Sequence, residues 1–207
     1  MNNSEIITDL TTCGDFLSSR RTFLSGATLA LGGFVLSSTD VEAATRKYDV
    51  DLNRLPYNWV RREGGNIFRY AKFIDRLDLK HIQNQQVIQV HARAKGSTWN
   101  SLPPSHYWDN IAHTLKAMDR ISSSLKCDVE EIVSLYRSPA YNARCRGASR
   151  NSYHKKNVAM DVVMPCSSWT TYSRIKYYRD KKRLFKGGVG RYNSFTHIDT
   201  RGYNATW

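Results

Sequence analysis

Three side chains able to hold a metal ion stand at spacings that a small fold can bring together. His154 and Asp161 lie in Ser152-Tyr153-His154-Lys155-Lys156-Asn157-Val158-Ala159-Met160-Asp161, and His197 lies in Phe195-Thr196-His197-Ile198-Asp199. A histidine on a loop and an aspartate on the strand that follows converge when the loop folds back over the strand. A histidine on a neighbouring strand then supplies the third group. Two imidazole nitrogens and one carboxylate oxygen suit Zn2+, and three protein ligands leave the fourth tetrahedral position open, as in catalytic rather than structural sites. Water held at such a position reaches a pKa of about 7, which makes hydroxide available at neutral pH. By itself His-x6-Asp recurs by chance, so its weight comes from the segments around it.

Those segments supply the elements that must position the three groups. Asp161 opens an apolar run from Met160 to Met164 that reads as a strand, stopped by Pro165. Glu131 to Tyr136 reads as another strand and delivers Arg137 at its end; Ser138 and Pro139 then form an N-cap and first helical position for a short helix through Cys145. Phe195 to Thr200 reads as the strand carrying His197, entered from a tight glycine-rich connection at Gly187-Gly188-Val189-Gly190. The clearest helix follows Ser105, with Ile111, Leu115, Met118, Ile121 and Leu125 on one face. A second helix runs from a cap at Ser167 or Ser168 through Tyr178 to about residue 183. Upstream, Val87 to Ala92 reads as a strand with His91 near its end. Lys95 to Pro104 reads as a loop, Tyr70 to Leu79 as a short helix or irregular segment, and residues 44–64 as an arm or loops packing on the core. Helices and short strands in this order indicate an α+β single domain with a small, mainly antiparallel sheet flanked by helices.

The N-terminus reads differently. Arg20-Arg21 precede a weakly apolar segment from Leu24 to Leu36, and Val41-Glu42-Ala43 places small residues where a signal peptidase cuts. Residues 1–43 are therefore expected to be a twin-arginine-type export signal, residues 44–100 an N-terminal arm and the start of the domain, and residues 101–207 the core that carries the site. No apolar run reaches the roughly 18–20 residues of a membrane span. Removing 1–43 takes away two arginines and five carboxylates, leaving 29 basic and 13 acidic residues in 164, a net charge of +16. Such a surface draws polyanions, and for an exported protein these are anionic envelope polymers and wall carboxylates. Nucleic acid is not expected, since no helix-turn-helix, OB or zinc-finger signature accompanies the charge. Cys127, Cys145 and Cys166 follow no zinc-ribbon spacing; two could pair in an oxidising compartment, or all three could serve as small buried hydrophobes.

The quoted segments resemble the zinc peptidases related to D-Ala-D-Ala carboxypeptidases and hedgehog, specifically the MepK-type murein endopeptidase branch. That family carries Ser-x-His-x-x-Gly-x-Ala-x-Asp, preceded by Arg-Ser/Thr-Pro and followed by Gly-Val-Gly and Phe-x-His-x-Asp. The resemblance covers Val133 to Trp207. It implies one Zn2+ per chain held by His154, Asp161 and His197, with Arg137 beside the metal to hold a substrate carboxylate or a developing oxyanion. Ser152 would orient the motif loop or contact substrate, a simple turn cap being the alternative. Asn157 stands where the family has glycine and can support a left-handed turn. Related enzymes place a Glu or His shortly before the last ligand, whereas Ser194, Phe195 and Thr196 occupy those positions here. Asp199, on the same face of the strand as His197, is a candidate catalytic group or one that fixes His197 through its other ring nitrogen. His91 and His106 are further candidates for proton transfer. The expected function is hydrolysis of peptidoglycan stem-peptide or cross-link bonds, endopeptidase before carboxypeptidase, with a non-catalytic wall-binding module holding a structural zinc as the alternative.

Overall fold

A computed structural model describes residues 48–207 and the backbone of two short antiparallel strands, β1 (Ala30–Leu31) and β2 (Phe34–Val35). The rest of residues 1–47, with most of the expected export signal and its cleavage site, lies outside the described residues. Among these residues no helix is long and apolar enough to cross a membrane.

The chain enters the domain through helices rather than an arm or loops. Helix α1 (Tyr57–Glu63) buries Trp59 and Val60, and α2 (Asn66–Asp75) buries Ile67, Phe68, Tyr70, Ala71 and Ile74 along one stripe. The run expected as a strand at Val87–Ala92 is helical: α3 (Asn84–Gln89) continues as a 3-10 turn over Val90–Ala92. Its start is fixed by the Gln86 side chain, which accepts from the backbone N–H of Gln83 at 3.2 Å. A short apolar run buried on several sides has no period that distinguishes helix from strand, and here the cap decided. The expected loop from Lys95 to Pro104 holds a two-residue hairpin, β3 (Ala94–Lys95) and β4 (Thr98–Trp99), turning at Gly96 with φ +60°.

Helix α4 (Trp108–Leu125) keeps its expected stripe, with Ile111, Leu115, Met118 and Ile121 fully buried. Ser105 does not cap it. Ser105–Tyr107 is a 3-10 turn that leads into the helix, and Trp108 anchors the junction by donating from Nε1 to the Pro103 carbonyl at 2.9 Å. Helix α5 (Pro139–Arg144) starts as expected, with Ser138 Oγ accepting from Tyr141 N at 3.3 Å; Ser167 likewise caps α6 (Ser168–Asp180). No disulfide joins Cys127, Cys145 and Cys166.

Five strands form the central sheet in the order β5 (Glu131–Ser134), β6 (Ala159–Val163), β8 (Thr196–Asp199), β7 (Gly188–Arg191) and β9 (Ala205–Thr206). All neighbours are antiparallel except β7 and β9. The glycine run is therefore a strand, not a tight connection. One face of the sheet carries Ile132, Val162, Met160, Ile198 and Val189 into the core. The other presents a row across four strands: Ser134 pairs with Asp161, Asp161 with His197, and His197 with Gly190.

Candidate metal centre

His154 reaches this row from outside the sheet. It lies on a 3-10 turn, Tyr153–Lys156, capped by Ser152 Oγ accepting from His154 N at 3.3 Å. Asn157 closes the turn in the left-handed region at φ 54°, ψ 40°, as its residue type allows. Helix α4 holds the loop down: Asn110 Nδ2 donates to Lys156 O and Asn157 Nδ2 to Tyr107 O, both at 2.9 Å, and Thr114 Oγ1 donates to Val158 O at 2.8 Å. The Arg137 N–H donates to the His154 carbonyl at 3.2 Å, tying the loop to the segment after β5.

The ligand atoms of His154, Asp161 and His197 all lie within 4.8 Å of one another, and all three residues are buried. Their protonation is constrained by their partners. His154 Nδ1 faces the Leu135 carbonyl at 2.6 Å, and a carbonyl only accepts, so Nδ1 carries the proton. Burial lowers the His154 pKa, with Asp161 opposing it, which keeps the ring neutral. Nε2 is then a lone pair aimed at Asp161 Oδ2 only 3.2 Å away. Two acceptors facing each other in a buried site are stabilised by a cation, and a metal ion held by both would supply it. His197 stands between two carboxylates, with Nδ1 2.7 Å from Asp161 Oδ1 and Nε2 2.9 Å from Asp199 Oδ2. Burial works against its charge, but the two carboxylates outweigh that and raise its pKa. Burial also opposes the charge on Asp161, yet its histidine partners hold that carboxyl well below the usual range. A metal ion would displace the proton from His197 Nδ1 and leave the one at Nε2 facing Asp199, as the Nδ1 proton of His154 faces Leu135 O, so each ring would offer one nitrogen beside Asp161. The donor set fits a metal ion.

Arg137 approaches the same point. Its Nε donates to Ser134 Oγ at 2.7 Å and its Nη2 to Asp161 Oδ2 at 2.6 Å, in a pair whose Asp161 side is almost fully enclosed. The pair is enclosed rather than on the open surface.

A family model described as Peptidase M15 matches residues 80–199, more than half of the chain. The chain belongs to the peptidase M15 family. No curated protein and no solved structure matches it.

For an M15 peptidase, a metal-dependent one, the buried His-Asp-His group is the group that could bind the ion. The other nominated residues separate by their surroundings. Asp199 is buried and its oxygens accept from Gly188 N at 2.9 Å, from Arg201 N at 3.1 Å and from Arg201 Nε at 2.8 and 3.0 Å, besides facing His197. Burial is overcome by Arg201 and His197, and its pKa is held well below the usual range. A carboxylate so committed is placed to orient His197. Ser152 is engaged as the cap of the motif turn. His91 is fully buried, donates from Nδ1 to Val87 O at 2.7 Å and meets Tyr70 edge-on, and among the described residues no hydrogen bond or ion pair links it to the cluster. His106 is exposed beside the start of α4, and among the described residues no hydrogen bond or ion pair links it to the cluster.

Three residues around the centre went unnoticed in the sequence: Ser134, Arg201 and Trp207. The last places its indole 5.2 Å from the His197 ring, centroid to centroid. A Cβ on Gly190 would stand 2.5 Å from that indole, and one on Gly188 2.5 Å from Asp199 Oδ2. This close approach is why β7 is glycine-rich, and the glycines were the available signal that something lies flat against the strand.

Proposed function

We propose that this M15 peptidase is an exported zinc-dependent peptidoglycan peptidase that hydrolyses stem-peptide or cross-link bonds, with endopeptidase cleavage preferred in line with the MepK-type resemblance. His154 Nε2, Asp161 and His197 Nδ1 would hold Zn2+. When bound, the ion supplies Lewis acidity, polarising a substrate carbonyl and lowering the pKa of water.

The chain's own groups supply the rest. Leu135 O accepts from Nδ1 of His154 and Asp199 is placed to accept from Nε2 of His197, so the other nitrogen of each ring would be the one offered to the ion beside Asp161. Arg137 is held by Ser134 Oγ with its guanidinium at the edge of the cluster. There it is positioned to pair with a carboxylate terminus or to stabilise negative charge developing on a carbonyl oxygen. The net +16 expected for residues 44–207 favours an anionic wall polymer as the source of the peptide. The observation that carries the reading is the pair of acceptors, His154 Nε2 and Asp161 Oδ2, facing each other at 3.2 Å beside a fixed guanidinium.

A second reading, a wall-binding module with a structural metal, draws on one observation. Asp199 and His91, nominated for proton transfer, are both committed elsewhere. Digesting purified sacculi with the full chain and identifying released fragments by mass spectrometry decides between them. Release of muropeptides by the wild type and not by His154→Ala is expected, and the fragment masses identify the bond. Binding to sacculi without release would favour the second reading.

A further inference from the structure

Past Asp199, where the family match ends, the chain turns back over its own site. Gly202 takes φ +96°, and β9 then runs parallel to β7. The return is held from below by Arg179 of α6, a buried guanidinium that donates to Gly187 O at 3.1 Å, to Thr206 Oγ1 at 2.8 Å and to the Ala205 carbonyl. Arg191 N donates to Trp207 O at 2.9 Å and Trp207 Nε1 to Tyr192 Oη at 2.9 Å, which fixes the last residue at both ends. The indole lies over Gly188 and Gly190 and against His197.

Arg201 acts on the same histidine through Asp199. Its Nε bridges both oxygens of Asp199, whose Oδ2 stands 2.9 Å from His197 Nε2. The guanidinium is itself packed between aromatic rings, 3.9 Å from the centroid of Tyr153 and 5.1 Å from that of Trp207. Tyr153 immediately precedes His154, so the packing joins the segment after β8 to the motif turn.

We propose that Arg201 and Trp207 are positioning residues for the metal centre. This inference rests on the metal-binding reading above. A ring that binds a metal through Nδ1 keeps one N–H, at Nε2, and Asp199, locked in place by Arg201, stands 2.9 Å away to accept it. With Asp199 released, that N–H loses its fixed acceptor, and nothing holds Nδ1 rather than Nε2 toward Asp161. Trp207 prevents the other failure, rotation of the ring about its own axis, which would exchange Nδ1 for a carbon. Side chains outside the family match thereby set which atom of His197 binds.

The test compares Zn2+ affinity of the full chain, measured by competition with a chromophoric chelator, for wild type, Arg201→Met, Arg201→Lys, Trp207→Ala, Trp207→Phe and His154→Ala. Histidine 15N spectra of the same proteins read the His197 tautomer. Arg201→Met is expected to lose about 10–100-fold in affinity, with the Nε2–H form no longer dominant. Trp207→Ala is expected to lose affinity also, and Trp207→Phe to recover most of it. Arg201→Lys retains the charge without the paired planar donors and should fall between wild type and Arg201→Met; it carries the comparison if the methionine variant unfolds. Wild-type affinity and an unchanged tautomer in both Arg201→Lys and Trp207→Ala would overturn the proposal while leaving the metal centre standing. A wild-type chain that binds zinc no better than His154→Ala would overturn the metal centre and this inference with it.

Discussion

Ser134 and Asp161 face each other across β5 and β6 because one extra residue, Val133, bulges out of β5. Before the bulge, Ile132 pairs with Val162 and points into the core; after it, Ser134 points to the opposite face. Strict alternation would have put Ser134 beside Ile132. The bulge thus re-aims one hydroxyl, the hydroxyl fixes Arg137, and Arg137 is delivered to Asp161 at 2.6 Å.

Substitution along that chain of contacts should act on turnover more than on binding. Arg137→Ala is expected to lower kcat about 10²–10³-fold, the range for removing a preorganised donor to a developing oxyanion. Ser134→Ala should cost about tenfold, since the guanidinium remains but is less well held. Steady-state kinetics on a defined stem peptide checks both, and an effect confined to KM would place Arg137 in ground-state binding only.

His91 makes stability depend on pH. Burial lowers its pKa to about 4 in the fold, against about 6.5 in the unfolded chain. Between those values the unfolded chain binds the extra proton, so stability is intact above pH 6.5 and is lost as pH falls toward 4. The contribution at stake is about 3 kcal/mol. Chemical denaturation at pH 7 and pH 5 should show the loss, and His91→Gln, which keeps an N–H donor but does not titrate, should flatten it.

Gly190→Ala places a methyl carbon 2.5 Å from the Trp207 indole, which must then move. A destabilisation of about 1–3 kcal/mol is expected from overpacking, with a shift in tryptophan fluorescence as the indole leaves His197. An alanine variant with unchanged melting and emission would mean that the segment after β8 does not lie against β7 in solution.

At Asn157 the left-handed backbone and the hydrogen bond to Tyr107 O can be separated. Asn157→Ala meets the strain of φ 54° and loses the bond, and about 1–2 kcal/mol of stability should go with it. Asn157→Gly relieves the strain, loses only the bond, and should melt above the alanine variant.

Much of the centre could be read from residue types. His154, Asp161, His197 and Arg137 converge because each sits on or beside an element whose pattern is clear: the apolar run at Met160, the Ser138-Pro139 cap and the strand after Phe195. Ser134 was hidden by the bulge, which inverts the face that period-two reading assigns. Val87–Ala92 misled because β-branched residues buried on all sides fit helix and strand alike, and the capping pair Gln83 and Gln86 settled the matter. The strand at Gly188–Arg191 was read as a turn because glycine signals turns locally, whereas here the reason is Trp207, nearly twenty residues later. Helix α1 and the first turn of α2 were missed, although Ile67, Phe68, Tyr70, Ala71 and Ile74 stand at helical spacing; the short-helix alternative for Tyr70 to Leu79 overlaps only the end of α2.

The most direct test of a catalytic metal at His154, Asp161 and His197 is zinc titration of sacculus hydrolysis. The full chain, stripped by chelator, is returned to increasing Zn2+ while released fragments are quantified. Activity absent from the stripped protein, rising to a plateau at one zinc per chain and missing from His154→Ala, is the expected result. Hydrolysis that persists in chelator, or survives in His154→Ala, would contradict it.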